Sequence, residues 1–282
     1  MNELLAKEKI KEFLLEDIGT GDLTVSSIFS KDAQGSGEFI AKSDGIICGL
    51  KIPAMVYELL KDAEFTPLVS EGQQVYKGDV LGHAKGKIQI LLTGERVALN
   101  LMQRMSGIAT KTAEAITRLD DPTIQVCDTR KSVPYLRLFD KYAVKVGGGK
   151  NHRFGLYDGV MLKDNHLSYA GGLKEAVEKV RNAQGHMVKI EVEVETKEQL
   201  REAIAAKADI IMFDNRTPAE IKEWRKIVPK SILVEVSGGI TIKTIHQFKG
   251  CGVDFISMGE LMHSVKAFDI SFLDTMSEKR YK

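Results

Sequence analysis

The sequence predicts an α/β protein whose larger part is an incomplete parallel α/β barrel. From about Gly107, apolar segments alternate with amphipathic ones, and such repeating units imply parallel strands joined by right-handed crossovers. About seven strands in roughly 160 residues are too few for a complete eight-stranded barrel. A doubly wound nucleotide-binding sheet is less favoured, because Gly147-Gly148-Gly149 and Gly238-Gly239 do not have the dinucleotide-binding spacing.

The first hundred residues have a different pattern and are predicted to form a smaller domain over residues 1–105. Apolar periodicity predicts a helix over Asn2–Leu15, and a strand is expected over Glu38–Cys48. A short helix is expected over Pro53–Lys61, with proline in its first turn. The glycine-spaced turns that follow resemble lipoyl and biotinyl carrier domains. Neither Lys85 nor Lys87 has the flanking residues of a modified lysine, which disfavours a carrier function.

The barrel is predicted to occupy residues 106–268, followed by a tail over 269–282 that is expected to return to the N-terminal domain. A long helix is expected over Ser106–Leu119. The predicted strands are Ile124–Cys127, Tyr142–Val146, Val160–Leu162, Val188–Val194, Ile210–Phe213, Ile232–Val236 and Phe255–Met258. The predicted later helices are Leu173–Ala183, Lys197–Ala206, Pro218–Ile227 and Ile242–Phe248.

Composition excludes several classes of protein. Lys and Arg number 40 against 39 Asp and Glu, so a net charge of +1 gives no reason to expect a nucleic-acid or membrane partner. No uncharged apolar run reaches the ~18 residues of a membrane span, and the N-terminus lacks a signal-peptide core. Cys48, Cys127 and Cys251 are scattered without metal-ligand spacing, as in reduced cytoplasmic proteins. A cytoplasmic protein is expected.

Polar or glycine residues end the predicted barrel strands. Because reactive groups of parallel barrels gather at the carboxyl ends of the strands, these residues are candidates for one site. They are Asp128-Thr129-Arg130-Lys131, Lys163-Asp164-Asn165-His166, Glu193 with Glu195, Asp214-Asn215, Ser237-Gly238-Gly239 and Gly259-Glu260.

The strand Val188–Val194 alternates valine or isoleucine with glutamate. Strand side chains alternate between faces, so Glu191, Glu193 and the following Glu195 share the face opposite to the valines. If the valines face the helices, the glutamates enter the barrel, where a buried carboxylate needs a partner such as Lys163. The alternative is an edge strand with one solvent-exposed face.

Positive charge is concentrated between Asp128 and His166. This stretch holds eight Lys or Arg against four Asp, which suits a ligand with several carboxylates or phosphates. We expect Lys141, Lys145 and Lys150 to lie on the surface. The candidates for ligand binding are Arg130, Lys131, His152, Arg153 and Lys163.

Two glycine turns complete the candidate site. Ser237-Gly238-Gly239 and Gly259 each follow one of the last two strands and precede a predicted helix. Backbone N–H groups at such turns bind phosphate, and barrels often place a phosphate there. A sugar phosphate is therefore an expected ligand.

Taken in order, these segments resemble the quinolinate phosphoribosyltransferase family over nearly the whole chain, from about Leu15 to Asp269. The matching segments are Glu95-Arg96-Val97-Ala98-Leu99-Asn100, Ser106-Gly107-Ile108-Ala109-Thr110, Asp128-Thr129-Arg130-Lys131, Gly147 to Arg153, Lys163-Asp164-Asn165-His166, Glu191-Val192-Glu193, Asp214-Asn215 and Ser237-Gly238-Gly239. The resemblance implies an N-terminal open-faced α+β sandwich, an incomplete α/β barrel and a homodimer whose sites combine both subunits.

The resemblance also implies the reaction and the roles of residues. Quinolinate displaces pyrophosphate from phosphoribosyl pyrophosphate, and the 2-carboxylate leaves as CO2, giving nicotinate mononucleotide for NAD synthesis. The implied roles are carboxylate binding by Arg96, Arg130, His152 and Arg153, catalysis by Lys131 and Lys163, contact of Glu193 and Asp214 with the ribose and Mg²⁺, and phosphate binding by Ser237, Gly238, Gly239 and Gly259.

One segment departs from the family pattern. After Lys131 the family usually has Thr and then Pro-Gly, whereas this chain has Ser132-Val133-Pro134-Tyr135, which bears on substrate preference. A related group linked to molybdenum transport shares the fold but lacks the Lys163-Asp164-Asn165-His166 segment. Two further alternatives are another sugar-phosphate barrel enzyme, which would lack the arginine-rich N-terminal segment, and a non-catalytic binding scaffold.

Overall fold

The computed structural model of this chain describes residues 1–275 and divides into two units. The first comprises Met1–Lys111, Pro134–Gly147 and the described residues from Val265, and the second comprises Thr112–Val133 and Gly148–Ser264. Of the tail predicted over 269–282, residues 276–282 lie outside the described residues. Over residues 1–275, none of the helices has the length and apolar character needed to cross a membrane.

The chain begins with two helices, and strands and helices then alternate irregularly as far as a long fourth helix. In order these elements are α1 (Glu3–Ile18), α2 (Leu23–Ile28), β1 (Gln34–Ala41), β2 (Gly45–Ile46), α3 (Lys51–Leu60), β3 (Ala63–Pro67), β4 (Gln74–Val75), β5 (Val80–Lys87) and α4 (Ile88–Leu119). The elements after α4 are β6 (Gln125–Cys127), α5 (Arg137–Val146), β7 (Val160–Leu162), α6 (Asp164–Ala170), α7 (Leu173–Ala183), β8 (Ile190–Val194), α8 (Lys197–Ala205), β9 (Ile210–Asp214), α9 (Pro218–Arg225), β10 (Leu233–Ser237), a 3-10 helix (Ile245–Phe248), β11 (Phe255–Ser257), α10 (Glu260–His263) and β12 (Ile270–Asp274).

The first unit contains an antiparallel sheet with strand order β12-β1-β5-β3. Its core is aromatic, because the ring of Phe39 lies 5.3 Å from that of Phe65 and 5.0 Å from that of Phe272. Helix α3 packs on β3 and buries Ile52 and Tyr57 completely. This antiparallel sheet with its helices is the predicted smaller α+β part, and β12 joins it at the edge of β1.

The second unit contains six parallel strands in the order β6-β11-β10-β9-β8-β7. Helical segments separate these strands along the chain, so the predicted parallel α/β architecture with fewer than eight strands is confirmed. Strand β8 is hydrogen-bonded to β7 and to β9, which excludes the alternative of an edge strand.

Side-chain alternation divides the second unit into a helix-facing and an interior layer. Val192, Ile211, Phe213 and Val234 are completely buried, and Phe213 packs edge-on against Trp224 of α9 at 5.3 Å. These residues therefore face the helices. The residues of opposite parity, which include both glutamates of β8, face the interior, as the sequence predicts.

Four expectations about local structure were wrong. Tyr142–Val146 is not a strand but the end of α5, where Phe139, Ala143 and Val144 lie at helical spacing and are completely buried. The helix expected from Ser106 begins at Ile88, because the apolar face of α4 continues through Leu91 and Ala98. The helix expected over Ile242–Phe248 is only a 3-10 turn from Ile245.

The fourth concerns a lysine expected on the surface. Lys141 lies in α5 and is completely buried, whereas Lys145 and Lys150 are exposed as predicted. Residue type favours exposure of lysine unless it is paired. Burial is set here by the tertiary environment of α5, which the local sequence does not reveal.

Candidate active site

A cavity of about 490 Å³, which we call the carboxyl-end cavity, opens where the six parallel strands of the second unit end. The predicted site residues that line it are Arg130, Lys131, His152, Arg153, Lys163, Glu193, Asp214, Ser237, Gly238 and Gly239. Thr129, Met161, Met212, Asn215 and Ser257 complete the lining. Gly259 lies beside it, since a Cβ atom at this position would be 3.0 Å from Cδ of Lys131. The fold therefore brings together most of the predicted site residues, whereas Asp164, Asn165, His166 and Glu260 are not part of the lining.

Lys163 and Glu193 form an ion pair in one wall of the cavity. Leu162 of β7 is in register with Val192 of β8, so the next residue of each strand lies side by side. Lys163 Nζ donates a short hydrogen bond to Glu193 Oε2. The predicted pairing of Lys163 with an interior glutamate of β8 is confirmed.

Three carboxylates converge next to this pair. Oxygen atoms of Glu193, Glu195 and Asp214 all lie within 4.8 Å of one another. Asp214 ends β9 and is in register with Ser237 of β10, and its Oδ2 accepts a hydrogen bond of 2.6 Å from Asn215. Several carboxylate oxygens at this spacing form a donor set that suits a hard divalent cation such as Mg²⁺.

The turn after β10 requires glycine at one position. Gly238 has φ +95°, and a Cβ atom there would lie 2.2 Å from Oδ1 and 2.6 Å from the backbone nitrogen of Asn215. At Gly239 (φ +62°) a Cβ atom would meet nothing within 4 Å. The close approach of Asn215 leaves no room for a side chain at Gly238, whereas Gly239 borders open space.

Two arginines contribute positive charge to the cavity, in addition to Lys131 and Lys163. Burial and the neighbouring Arg130 guanidinium lower the pKa of Arg153, and Arg153 Nη1 donates to the carbonyl oxygen of Gly159 at 3.1 Å. Nε of Arg130 is buried and has no hydrogen-bond partner among the described residues. The guanidinium groups of Arg130 and Arg153 repel each other, and an anionic ligand bound between them would relieve this repulsion.

His152 lies at the base of the cavity with both ring nitrogens bonded to the protein. Nε2 lies 3.0 Å from Glu191 Oε2, and Nδ1 accepts a hydrogen bond of 2.8 Å from the backbone N–H of Arg153. The backbone N–H of His152 donates at 3.0 Å to Asp128, which is completely buried. The ring is thus held by neighbours on both edges.

Glu235 and Ser257 belong to the same buried cluster and were not predicted from the sequence. Glu235 Oε1 lies 3.6 Å from His152 Nε2 and accepts a short hydrogen bond from Ser257 Oγ. Burial and the neighbouring Glu191 raise the pKa of Glu235 to about 8, against the opposing effect of His152. One signal was available, because Val234-Glu235-Val236 repeats the alternation that identifies the interior glutamates of β8.

Arg96 lies in the first unit, on α4, with 59% of its side chain exposed. It lines a cavity of about 390 Å³ in that unit together with Arg104, whose guanidinium donates to both carboxylate oxygens of the buried Asp140 at 2.7 and 2.8 Å.

Tyr135, where the resembled family has glycine, has φ +66°, so the turn keeps a backbone conformation that favours glycine. Its ring lies 4.8 Å from Nζ of Lys9.

Two family models and several curated proteins match this chain. Models described as the C-terminal and N-terminal domains of quinolinate phosphoribosyl transferase match residues 108–273 and 22–106. A probable carboxylating nicotinate-nucleotide pyrophosphorylase from Bacillus subtilis is 52% identical over 280 residues, which is 99% of this chain and 96% of that protein. One from Methanocaldococcus jannaschii is 39% identical, covering 93% and 94% of the two chains.

Solved structures give the same result. The crystal structure of NadC from Streptococcus pyogenes has a TM-score of 0.93 at 38% identity and covers 96% of both chains. The nicotinate-nucleotide pyrophosphorylase from Francisella tularensis has a TM-score of 0.92 at 36% identity and covers 98% of both chains.

Proposed function

The chain belongs to the quinolinate phosphoribosyltransferase family, and we propose that it transfers the phosphoribosyl group of phosphoribosyl pyrophosphate to quinolinate. The products are nicotinate mononucleotide, pyrophosphate and CO2, and the reaction serves NAD synthesis. The enzyme is accordingly a decarboxylating pentosyltransferase. The alternative related to molybdenum transport gains no support from the bacterial and archaeal relatives.

The observation that carries this proposal is the distribution of charge in the carboxyl-end cavity. Arg130 and Arg153 contribute two guanidinium groups, Glu193 and Asp214 contribute carboxylates, and the turn at Gly238 contributes backbone groups. A dicarboxylate and a sugar phosphate together need such a set. The cations balance the carboxylates and phosphates, and the anions face hydroxyl groups and the positive charge that develops on the sugar.

We propose that Arg130 and Arg153 bind the two carboxylates of quinolinate. The buried Nε of Arg130 and the lowered pKa of Arg153 both indicate guanidinium groups that an anion would stabilise. His152 holds the backbone of Arg153 through Nδ1, which supports the position of this arginine. Holding the ring nitrogen in line with the anomeric carbon is the main contribution that binding can make to the rate.

The residues present fit the Mg²⁺ that the family implies. Glu193, Asp214 and the neighbouring Glu195 offer oxygen atoms within 4.8 Å of one another. We propose that Glu193 and Asp214 hold Mg²⁺, directly or through water, and face the ribose hydroxyls. When bound, the ion neutralises charge on the departing pyrophosphate. Lys131 and Lys163 line the same cavity and add positive charge to it.

The 5′-phosphate is assigned to the turns after the last two strands. Ser237 offers a hydroxyl, and Gly238 and Gly239 line the same cavity without side chains of their own. Gly259 lies beside Lys131 and adds a second turn without a side chain. Backbone donors at turns of this kind are common phosphate sites.

We further propose a homodimer in which Arg96 of one subunit completes the site of the other. Arg96 is exposed on α4, where a partner subunit can reach it. Quinolinate and phosphoribosyl pyrophosphate are the expected partners, and nucleic acid is not. A cytoplasmic location stays a prediction, supported by the three buried cysteines, none of which is in a disulfide.

The experiment that tests the function uses quinolinate labelled at the 2-carboxylate, phosphoribosyl pyrophosphate and Mg²⁺. We expect labelled CO2, pyrophosphate and nicotinate mononucleotide in equal amounts. Nicotinate, which has no 2-carboxylate, serves as the competing acceptor. Nucleotide formed from nicotinate but not from quinolinate would contradict the proposal, and so would the absence of any nucleotide.

A further inference from the structure

The second unit has a second cavity of about 490 Å³, which lies near the amino ends of the parallel strands. We call it the amino-end cavity, because Val160, Ile210 and Phe255, the first residues of three strands, line it. Glu191 and Glu235 also line it, whereas Ser257 lines the carboxyl-end cavity. His152 and Arg153 line both cavities, so a layer of polar side chains lies between the two.

A hydrogen bond crosses this layer. Ser257, which lines the carboxyl-end cavity, donates through Oγ to Oε1 of Glu235, which lines the amino-end cavity. Both residues are nearly inaccessible, at 3% and 4% exposure. The carboxyl group of Glu235 thus borders the amino-end cavity and is connected to the carboxyl-end cavity through the hydroxyl of Ser257.

The cluster around Glu235 is suited to holding a proton rather than a metal ion. Because His152 Nδ1 accepts the N–H of Arg153, the proton of a neutral ring lies on Nε2, which then donates to Glu191 and has no lone pair for a metal. The groups that face Glu235 are Glu191 from β8, His152 and Asp128 from the segments after β6, and Ser257 from β11.

Burial and the neighbouring carboxylates favour the protonated form of Glu235. The negative charges of Glu191 and Asp128 disfavour ionisation of Glu235, whereas His152 and the hydrogen bond from Ser257 act in the opposite direction. Burial and Glu191 raise the pKa of Glu235 to about 8, so the group holds its proton at neutral pH. The Ser257 hydroxyl donates to Glu235 in the structure, and by rotating it can accept the proton of Glu235 and direct its own proton toward the carboxyl-end cavity.

We propose that Glu235 and Ser257 form a proton relay that protonates C2 of the pyridine ring when CO2 departs. The relay rests on the proposed function. The bond between C2 and its carboxylate breaks, the electron pair stays on C2, and a C2–H bond forms with the proton of Ser257. Ser257 takes the proton of Glu235, and water entering the amino-end cavity reprotonates Glu235. Ser257 is the residue that contacts the substrate, and Glu235 acts through it.

The test separates the two products of the reaction. An electron pair that is not protonated at C2 recaptures CO2, so loss of the relay slows CO2 release and leaves pyrophosphate release intact. In Ser257→Ala and in Glu235→Gln we expect CO2 formation to fall by about 10²-fold, the usual contribution of a positioned acid. Pyrophosphate should change much less, and the mononucleotide that still carries both carboxylates should accumulate. Ser257→Thr, which keeps the hydroxyl, should restore CO2 release.

Ser106→Ala is the matched control, because Ser106 is a completely buried serine of the first unit that bonds to the backbone of Cys48. It should leave the ratio of CO2 to pyrophosphate unchanged. The ratio does not depend on how much protein folds. A ratio that stays at the wild-type value in both Ser257→Ala and Glu235→Gln overturns the relay. Wild-type protein that releases neither product overturns the proposed function instead, so the two failures are distinct.

Discussion

Lys163 and Glu193 are bound to each other at the carboxyl ends of adjacent parallel strands, with 43% and 12% of their side chains exposed. A partly exposed ion pair of this kind contributes at most about 1 kcal/mol to stability. Its position in the wall of the carboxyl-end cavity places a cation and an anion where the substrates are proposed to bind. The position of the pair is therefore better explained by a role in substrate binding or catalysis than by a contribution to the stability of the fold.

The first prediction concerns the carboxylates. Glu193→Ala and Asp214→Ala should each lower turnover by about 10²-fold or more, because the developing charge loses its electrostatic partner. Melting temperatures should stay close to wild type, since a ligand-facing charge contributes little to folding. Steady-state kinetics and thermal melts check both expectations. A large loss of stability with activity preserved would mean that the two residues are structural.

The second prediction concerns substrate charge. The cavity places Arg130 and Arg153 together, so a ligand with one carboxylate leaves one guanidinium group without an anionic partner. Quinolinate and phthalate should therefore compete far more strongly than nicotinate in binding assays. Arg153→Lys should weaken dicarboxylate binding, because lysine lacks the forked donors. Equal binding of quinolinate and nicotinate would remove the dicarboxylate assignment.

Site residues could be predicted from the sequence where the alternation of side chains along a strand, or the end of an apolar run, determines their position. Glu193 alternates with valines along one strand, and Asp214 and Ser237 directly follow apolar runs, so their placement follows from strand geometry alone. Pairing of β7 with β8 then brings Lys163 to Glu193.

The rest of the site depends on contacts between segments distant in sequence. Nothing near His152 in the chain reveals that its ring bonds to Glu191, 39 residues away. Lys141 is buried although its type favours exposure. Tyr142–Val146 has the composition of a short strand, and only its position relative to Phe139 makes it helical, because short apolar runs do not distinguish the two periods.

The third prediction tests the glycine turn. Gly238→Ala would place a Cβ atom 2.2 Å from Asn215 Oδ1, so the turn must shift, and binding of phosphoribosyl pyrophosphate should weaken by about tenfold or more. Gly171→Ala is the control, because Gly171 has nearly the same φ, +94°, with nothing within 4 Å. It should cost roughly 1 kcal/mol of stability and leave the substrate KM unchanged. The two KM values decide, and unchanged binding in Gly238→Ala would contradict the assignment of this turn to phosphate.

The fourth prediction concerns pH and Glu235. Its folded pKa of about 8 lies above the ordinary value of 4.5, so the folded state holds a proton that the unfolded state releases. Between these two values the free energy of unfolding should therefore fall as pH rises, and the effect should level off above about pH 8. Glu235→Gln cannot ionise and should lack this decline. Urea unfolding of both proteins at several pH values measures it, and parallel curves would show that Glu235 is not protonated in the folded state.

The last prediction tests whether the active site is shared between subunits. If Arg96 completes the site of the partner subunit, a two-fold dimer has two equivalent sites, each with Arg96 from one chain and Lys131 from the other. Arg96→Ala and Lys131→Ala should each be inactive alone. After complete subunit exchange, about half of the dimers combine one chain of each kind and hold one intact site of two, which restores roughly a quarter of wild-type activity. Native mass spectrometry of chains that differ in mass confirms that exchange has occurred. Activity that stays at background after demonstrated exchange would mean that both residues serve one site from the same chain.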